Sequence, residues 1–195
     1  MNNRNLENES MQAEIERLNQ AEWIFLILLE ADDGEAVPGS IWLQKEMFLI
    51  AKNLKPLEEF LEFDPHIQGP FSETVKNMLE NLQYRGYVRK DRRKIELTDR
   101  GEKVVEVIYE NATDELIDLI EDVKNFVNDL SKDELLVYIY FTYPDMTSES
   151  FELDEIELKR EEVAMNLYKK EKVSLEKASE LAGKSFSEFK REISV

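Results

Sequence analysis

Apolar side chains at Met11, Ile15, Leu18, Trp23, Phe25 and Leu28 recur at spacings near three and four, with acidic or polar residues between them. This period predicts a helix that runs to Glu30. Its first turns are sparsely apolar, so residues 1–18 read as a polar arm that either packs on another subunit or frays. "ADDGEAVPGS" ends the pattern. A second helix is expected over Ser40–Asn53, apolar around much of its circumference and therefore buried. The loop "EFDPHIQGPFS" follows, and Ser72 is placed to cap a third helix from Glu73 to about Arg85.

From Gly86 the period changes to alternation. Tyr87–Lys90 and Lys94–Leu97 read as two short strands around a polar turn at Asp91 and Arg92. Three helices followed by a hairpin is the order of a winged helix. Asp99 and Glu102 have capping-box spacing ahead of Val104, Val105 and Ile108. An acidic helix over 114–130 places Leu116, Ile120 and Val123 on one side and carboxylates on a solvated face. A short apolar helix within "SKDELLVYIYFTYPDM" should end at Pro144.

The chain closes on "SLEKASELAGKSFSEFKREI", Ser174 to Ile193. Ser174 is placed to cap one helix, with Leu175, Ala178 and Leu181 pointing inward. Gly183 permits a turn, and Ser185 with Glu188 forms a capping box on the next helix. Phe189 and Ile193 should pack on Val163, Leu167 and Tyr168, which leaves Phe186, Ser187, Lys190 and Arg191 exposed as candidates for a DNA groove.

The expected fold is mainly α: a winged-helix domain with one β-hairpin wing, a helical extension and a C-terminal trihelical helix-turn-helix unit. The expected division is an arm over 1–18, a winged-helix domain over 19–111, an acidic extension over 112–148, a linker over 149–155 and the helix-turn-helix unit over 156–195. With only six Gly and five Pro among 195 residues, a largely helical chain fits the composition.

Charge sharpens this picture. The net charge is −18, so the chain as a whole repels a polyanion, and any contact with nucleic acid must run through local basic islands. One island holds Arg85, Arg89, Lys90, Arg92, Arg93 and Lys94, opposed only by Asp91. A wing can lay such side chains along phosphates. The same cations could instead form a solvated turn or pair with the acidic helix.

Two resemblances bear on function. Residues 41–109, with a follow-on to about 148, resemble the Panacea-type domain found in antitoxins, through "LQKEMFLIAK", "QGPFSETVKNMLENLQYRGYV", "IELTDRGEKV" and "LSKDELLVYIYFTYPDMTSES". This resemblance implies an antitoxin-like or regulatory module that binds a protein, DNA or both. The long loop between the second and third helices departs from a DNA-reading helix-turn-helix, whose turn takes about three or four residues. The C-terminal stretch resembles the helix-turn-helix of lac-repressor-type regulators, and the end of the chain from Leu153 also resembles small antitoxin-like proteins. Lys184 stands where that pattern has a buried Val, and Glu188 puts a carboxylate on the reading helix.

Little points to catalysis. There is no Cys and a single His, His66, which reads as a surface loop residue and lacks the companions of a metal site. No Gly-rich phosphate loop or nucleophile elbow occurs. Trp42, Phe48, Tyr138 and Tyr140 sit at helical spacing and read as core. The N-terminus lacks the pattern of a signal peptide, and the run "WIFLILL" is too short to span a bilayer.

The sequence therefore leads to a cytoplasmic, dimeric, non-enzymatic DNA-binding regulator without cofactor, its partner double-stranded DNA. The rival is a protein-interaction module, antitoxin or adaptor, that holds a toxin-like or basic protein and never meets DNA.

Overall fold

The computed structural model describes residues 12–193. The remainder of the expected arm, 1–11, lies outside the described residues. The chain divides into two compact units, Met1–Glu62 with Glu73–Asn128, and Phe63–Ser72 with Asp129–Val195. The architecture is mainly helical with one small antiparallel hairpin, as a winged-helix-like fold requires.

The first unit is built around α1, Gln20–Gly34. The expected single helix from Met11 is broken at Asn19, whose side-chain oxygen caps α1 by accepting from the Glu22 N–H while the Glu22 carboxylate accepts from the Asn19 N–H. That capping box outcompetes a continuous helix because it satisfies two amide donors reciprocally. Residues 12–18 lie on this unit, with Ile15 and Leu18 buried. The regular part of α1 ends at Glu30. Ala31 is extended, and Asp32 and Asp33 have φ of 57° and 52°.

Around α1 stand α2 (Ser40–Asn53), α3 (Lys55–Leu61), α4 (Glu73–Tyr84), β1 (Val88–Lys90), β2 (Ile95–Leu97), α5 (Asp99–Tyr109) and α6 (Asp114–Asn128). The helix α3 falls inside what reads as loop. Pro56 in its first turn favours it, and Leu57 and Leu61 are buried. On α4 the apolar stripe of Val75, Met78, Leu79 and Leu82 is buried, so this helix owes its place to its core face. The cap of α5 is Thr98, not Asp99: its hydroxyl accepts from the Gly101 N–H at 3.1 Å. Gly101 itself is required, since a Cβ there would lie 2.1 Å from the Tyr87 carbonyl oxygen of the hairpin.

This core also holds charge. Glu46 and Lys124 are fully buried, and Lys45 nearly so. Lys124 Nζ donates to the Leu29 carbonyl at 3.2 Å, and one turn earlier Glu121 accepts from the Asp32 N–H at 2.8 Å. Together they fasten α6 to the end of α1. Both carboxyl oxygens of Glu46 lack a hydrogen-bond partner among the described residues, and burial pushes the pKa of this group up to about 8 even though Lys124 opposes the shift.

The second unit contains α7 (Lys132–Thr142), a 3₁₀ turn at Pro144–Met146, α8 (Leu153–Lys169), α9 (Leu175–Ala182) and α10 (Phe186–Glu192). The segment 63–72 belongs to it, closed by a bridge between Asp64 and Phe71 and set close against Tyr140 at Gly69. The expected extension over 112–148 thus divides, with α6 in the first unit and α7 in the second. The expected linker over 149–155 is tied down at two residues and gives way to α8 at Leu153. Ser150 bonds the Tyr140 hydroxyl at 2.7 Å, and Glu152 pairs with Lys132 at 2.8 Å and accepts from Gln68 at 2.6 Å.

Candidate nucleic-acid interface

The hairpin pairs Val88 with Leu97, Arg89 with Glu96 and Lys90 with Ile95. Val37 adds a bridge to Ile95, donating and accepting at 2.9 and 3.0 Å. Val88, Ile95 and Leu97 face the core, so the register is fixed and the alternate residues point outward. The tip runs from Asp91 to Lys94, longer than the two residues that alternation suggests. The Asp91 carboxylate accepts from the N–H groups of Arg93 and Lys94 at 2.8 and 2.9 Å. These bonds hold its pKa below the usual carboxylate range. Asp91 therefore shapes the turn that presents the cations.

The six wing residues separate into two kinds. Arg92, Arg93 and Lys94 are exposed at the tip, and no side-chain ion pair or hydrogen bond ties them among the described residues. Arg85, Arg89 and Lys90 are engaged. Arg85 sits before β1, 3.6 Å from Glu22 and over the Tyr87 ring at 5.0 Å, so it belongs to the base of the hairpin and not to its tip. Arg89 pairs with Glu96 across the strands at 2.8 Å, and Lys90 donates to the Ser40 hydroxyl at 2.8 Å. Nearby, the Tyr87 hydroxyl and Arg100 converge on Glu14 at 3.0 and 2.9 Å, which fixes residues 12–18 beside the hairpin's base. Arg100 holds the Glu14 carboxyl below its ordinary pKa.

In the second unit, α9 and α10 are joined by Gly183, Lys184 and Ser185, a turn short enough for a helix-turn-helix. Ser174 caps α9, Gly183 closes it with φ of 70°, and Ser185 with Glu188 makes the expected capping box on α10. Ala178, Leu181 and Phe189 are fully buried, while Leu175 is only half-buried. Phe186, Ser187, Lys190 and Arg191 are all exposed. Lys190 lies over the Phe186 ring at 5.9 Å.

One residue that sequence reasoning did not single out, Arg160, helps set this geometry. Arg160 of α8 donates from Nε to the Leu181 carbonyl at 2.8 Å and from Nη2 to the Glu180 carbonyl at 3.3 Å. Its guanidinium lies 3.7 Å from the Phe141 ring centroid. It thus supplies positive charge and donors where the carbonyls of α9 end. A Cβ at position 183 would stand 2.9 Å from that guanidinium, a second reason for glycine. Lys184, which replaces an expected apolar residue, is three-quarters covered and bonds Glu161 of α8 and Glu192 of α10, the latter at 2.6 Å. An ionic tie stands in for an apolar plug. Glu188 bonds the Ser185 N–H and hydroxyl at 3.0 and 2.6 Å, so its carboxylate is committed to the cap, which lowers its pKa.

The remaining candidates take structural places. Phe48 and Tyr140 are buried, and Trp42 and Tyr138 are half-buried. His66 stacks on Phe71 with ring centroids 4.7 Å apart. Among the described residues no three His, Asp or Glu side chains converge as a metal site, and no helix is long and apolar enough to cross a membrane.

Residues 137–194 match the family described as "Uncharacterised protein family (UPF0175)". The match covers less than half of the chain and falls in the second unit, from within α7 to the end of α10. It does not reach residues 41–109, which carry the Panacea-type resemblance. No curated protein matches the chain.

Proposed function

We propose that this protein is an antitoxin-like, DNA-binding transcriptional regulator that acts by binding and not by catalysis. It contacts double-stranded DNA through the tip of the wing and through the exposed side of α10. One observation carries the reading. In a chain of net charge −18, Arg92, Arg93 and Lys94 stand together at a hairpin tip with no side-chain hydrogen bond or ion pair among the described residues, while Arg85, Arg89, Lys159, Lys170 and Lys184 are paired with carboxylates. Cations left unpaired amid surplus acid are available to phosphate oxygens.

On α10, Ser187, Lys190 and Arg191 have the chemistry for base edges and phosphates, and Phe186 for apolar contact. A dimer follows from the same reading, because paired half-sites call for two copies. A place in the cytoplasm accords with a chain that carries no cysteine.

The test is fluorescence anisotropy of a labelled random duplex titrated with the protein from low to physiological salt. Affinity that falls steeply with salt supports the reading. No binding even at low salt overturns it and favours a protein partner, held by the exposed carboxylates Asp114, Glu115, Asp118 and Asp122 of α6.

A further inference from the structure

The first unit contains an open groove of about 720 Å³ walled by α1, α3 and the start of α6. Trp23, Ile27, Leu57, Phe60 and Leu116 make most of its lining apolar, and no charged side chain lines it among the described residues. Phe60 is 50% exposed at its edge, so the apolar lining continues out to solvent as a patch and is not a single exposed side chain.

The charges beside the groove indicate what fits. Glu59, Glu110, Asp114 and Glu115 are exposed next to lining residues, against Arg17 and Lys55, and Lys55 is already 3.8 Å from Glu59. The surroundings are acidic. A second copy of this chain, itself strongly acidic, would bring like charge to the rim. A small molecule is normally enclosed over most of its surface, which an open groove does not provide.

We infer that this groove docks a positively charged amphipathic helix of another protein, its apolar face on Trp23, Phe60 and Leu116 and its cations over the acidic rim. The inference is independent of DNA binding, since the groove shares no residue with the wing tip or with α10.

The experiment uses the full chain carrying Trp42→Phe, so that Trp23 is the sole tryptophan. It is titrated with an amphipathic Leu/Lys peptide and with a Leu/Glu peptide of the same apolar face. The Leu/Lys peptide should change Trp23 emission and saturate, and the Leu/Glu peptide should do neither. Phe60→Glu then separates apolar docking from charge attraction. It adds a carboxylate, so binding by charge alone would strengthen, whereas docking on Phe60 should weaken by about tenfold or more. Leu116→Gln, at a half-buried site, should weaken binding in the same direction and guards against a folding defect in the first variant. Failure of the Leu/Lys peptide to bind, or binding that Phe60→Glu leaves unchanged or improves, overturns the inference. So does a self-associated protein that Phe60→Glu converts to monomer, because the occupant would then be a second copy.

Discussion

The two units handle charge in opposite ways. The first places Glu46 and Lys124 at zero exposure in its core and leaves Arg92, Arg93 and Lys94 exposed at its wing with no side-chain ion pair among the described residues. The second keeps its ionic groups near the surface and joins them: Lys132 with Glu152, Lys159 with Asp133, Lys170 with Glu134, Lys184 with Glu161 and Glu192. Electrostatics in the first unit therefore bear on stability inside and on binding outside, whereas in the second they mainly position helices. This contrast predicts where pH and charge reversal will act.

The largest effect is expected in the core of the first unit. Lys124→Met removes the donor to Leu29 and the positive charge that faces Glu46. Above about pH 8, where Glu46 ionises, the variant leaves a buried carboxylate without compensation, a loss of about 3–5 kcal/mol when one member of a buried pair is removed. The pH dependence has a definite sign. The pKa of Glu46 in the fold is raised from 4.5 to about 8 by desolvation, so its contribution is fully present below about 4.5 and is lost as pH rises through about 8. Without Lys124 the carboxyl rises further, and the gap between variant and wild type should widen above pH 8. Urea unfolding across that range measures it. A gap that stays constant would mean that Glu46 and Lys124 do not interact.

Second in size is the wing. Arg92→Glu with Arg93→Glu should weaken duplex binding by about 100-fold at low salt and lower the slope of log affinity against log salt by about two. The unfolding midpoint should hardly move, since these side chains are exposed at the tip. Equal losses of affinity and stability would erase the proposed difference between core and tip. On α10, Lys190→Ala with Arg191→Ala should cost less, about tenfold, and relax preference among duplex sequences rather than weaken all of them alike. A uniform loss would place both residues on phosphates only.

The secondary structure was legible wherever a local rule decides it. Ser185 and Glu188 specify their cap within four residues of sequence, and the alternation at Val88, Ile95 and Leu97 specifies the hairpin. What stayed hidden depends on neighbours distant in the chain. Lys124 lies on the same helical face as Ile120 and Val127, yet a lysine in an acidic helix reads as solvated until α1 supplies the Leu29 carbonyl. Segment 63–72 reads as a loop between two helices of one domain because nothing local reveals that Tyr140 waits for Gly69. Arg160 was invisible for the same reason, its acceptors being 20 and 21 residues away.

The smallest effect concerns a residue that sequence alone ranks with the strongest. By composition Arg89 is one of six equivalent wing cations, and a phosphate contact from each would predict similar losses on substitution. The structure separates it from the tip: its Nε donates to Glu96 Oε1 at 2.8 Å, directly across the ladder. To reach a phosphate it must leave that carboxylate, and Glu96 would then face the same phosphate with uncompensated charge. Arg89→Ala should therefore lower duplex affinity by less than about threefold and leave the salt slope nearly unchanged. Arg89→Ala combined with Glu96→Ala should bind at least as well as wild type, because it removes an anion along with the cation. A loss from Arg89→Ala as large as that from either tip arginine would show that the pair opens on binding, and all the outward cations of the hairpin would then count as interface.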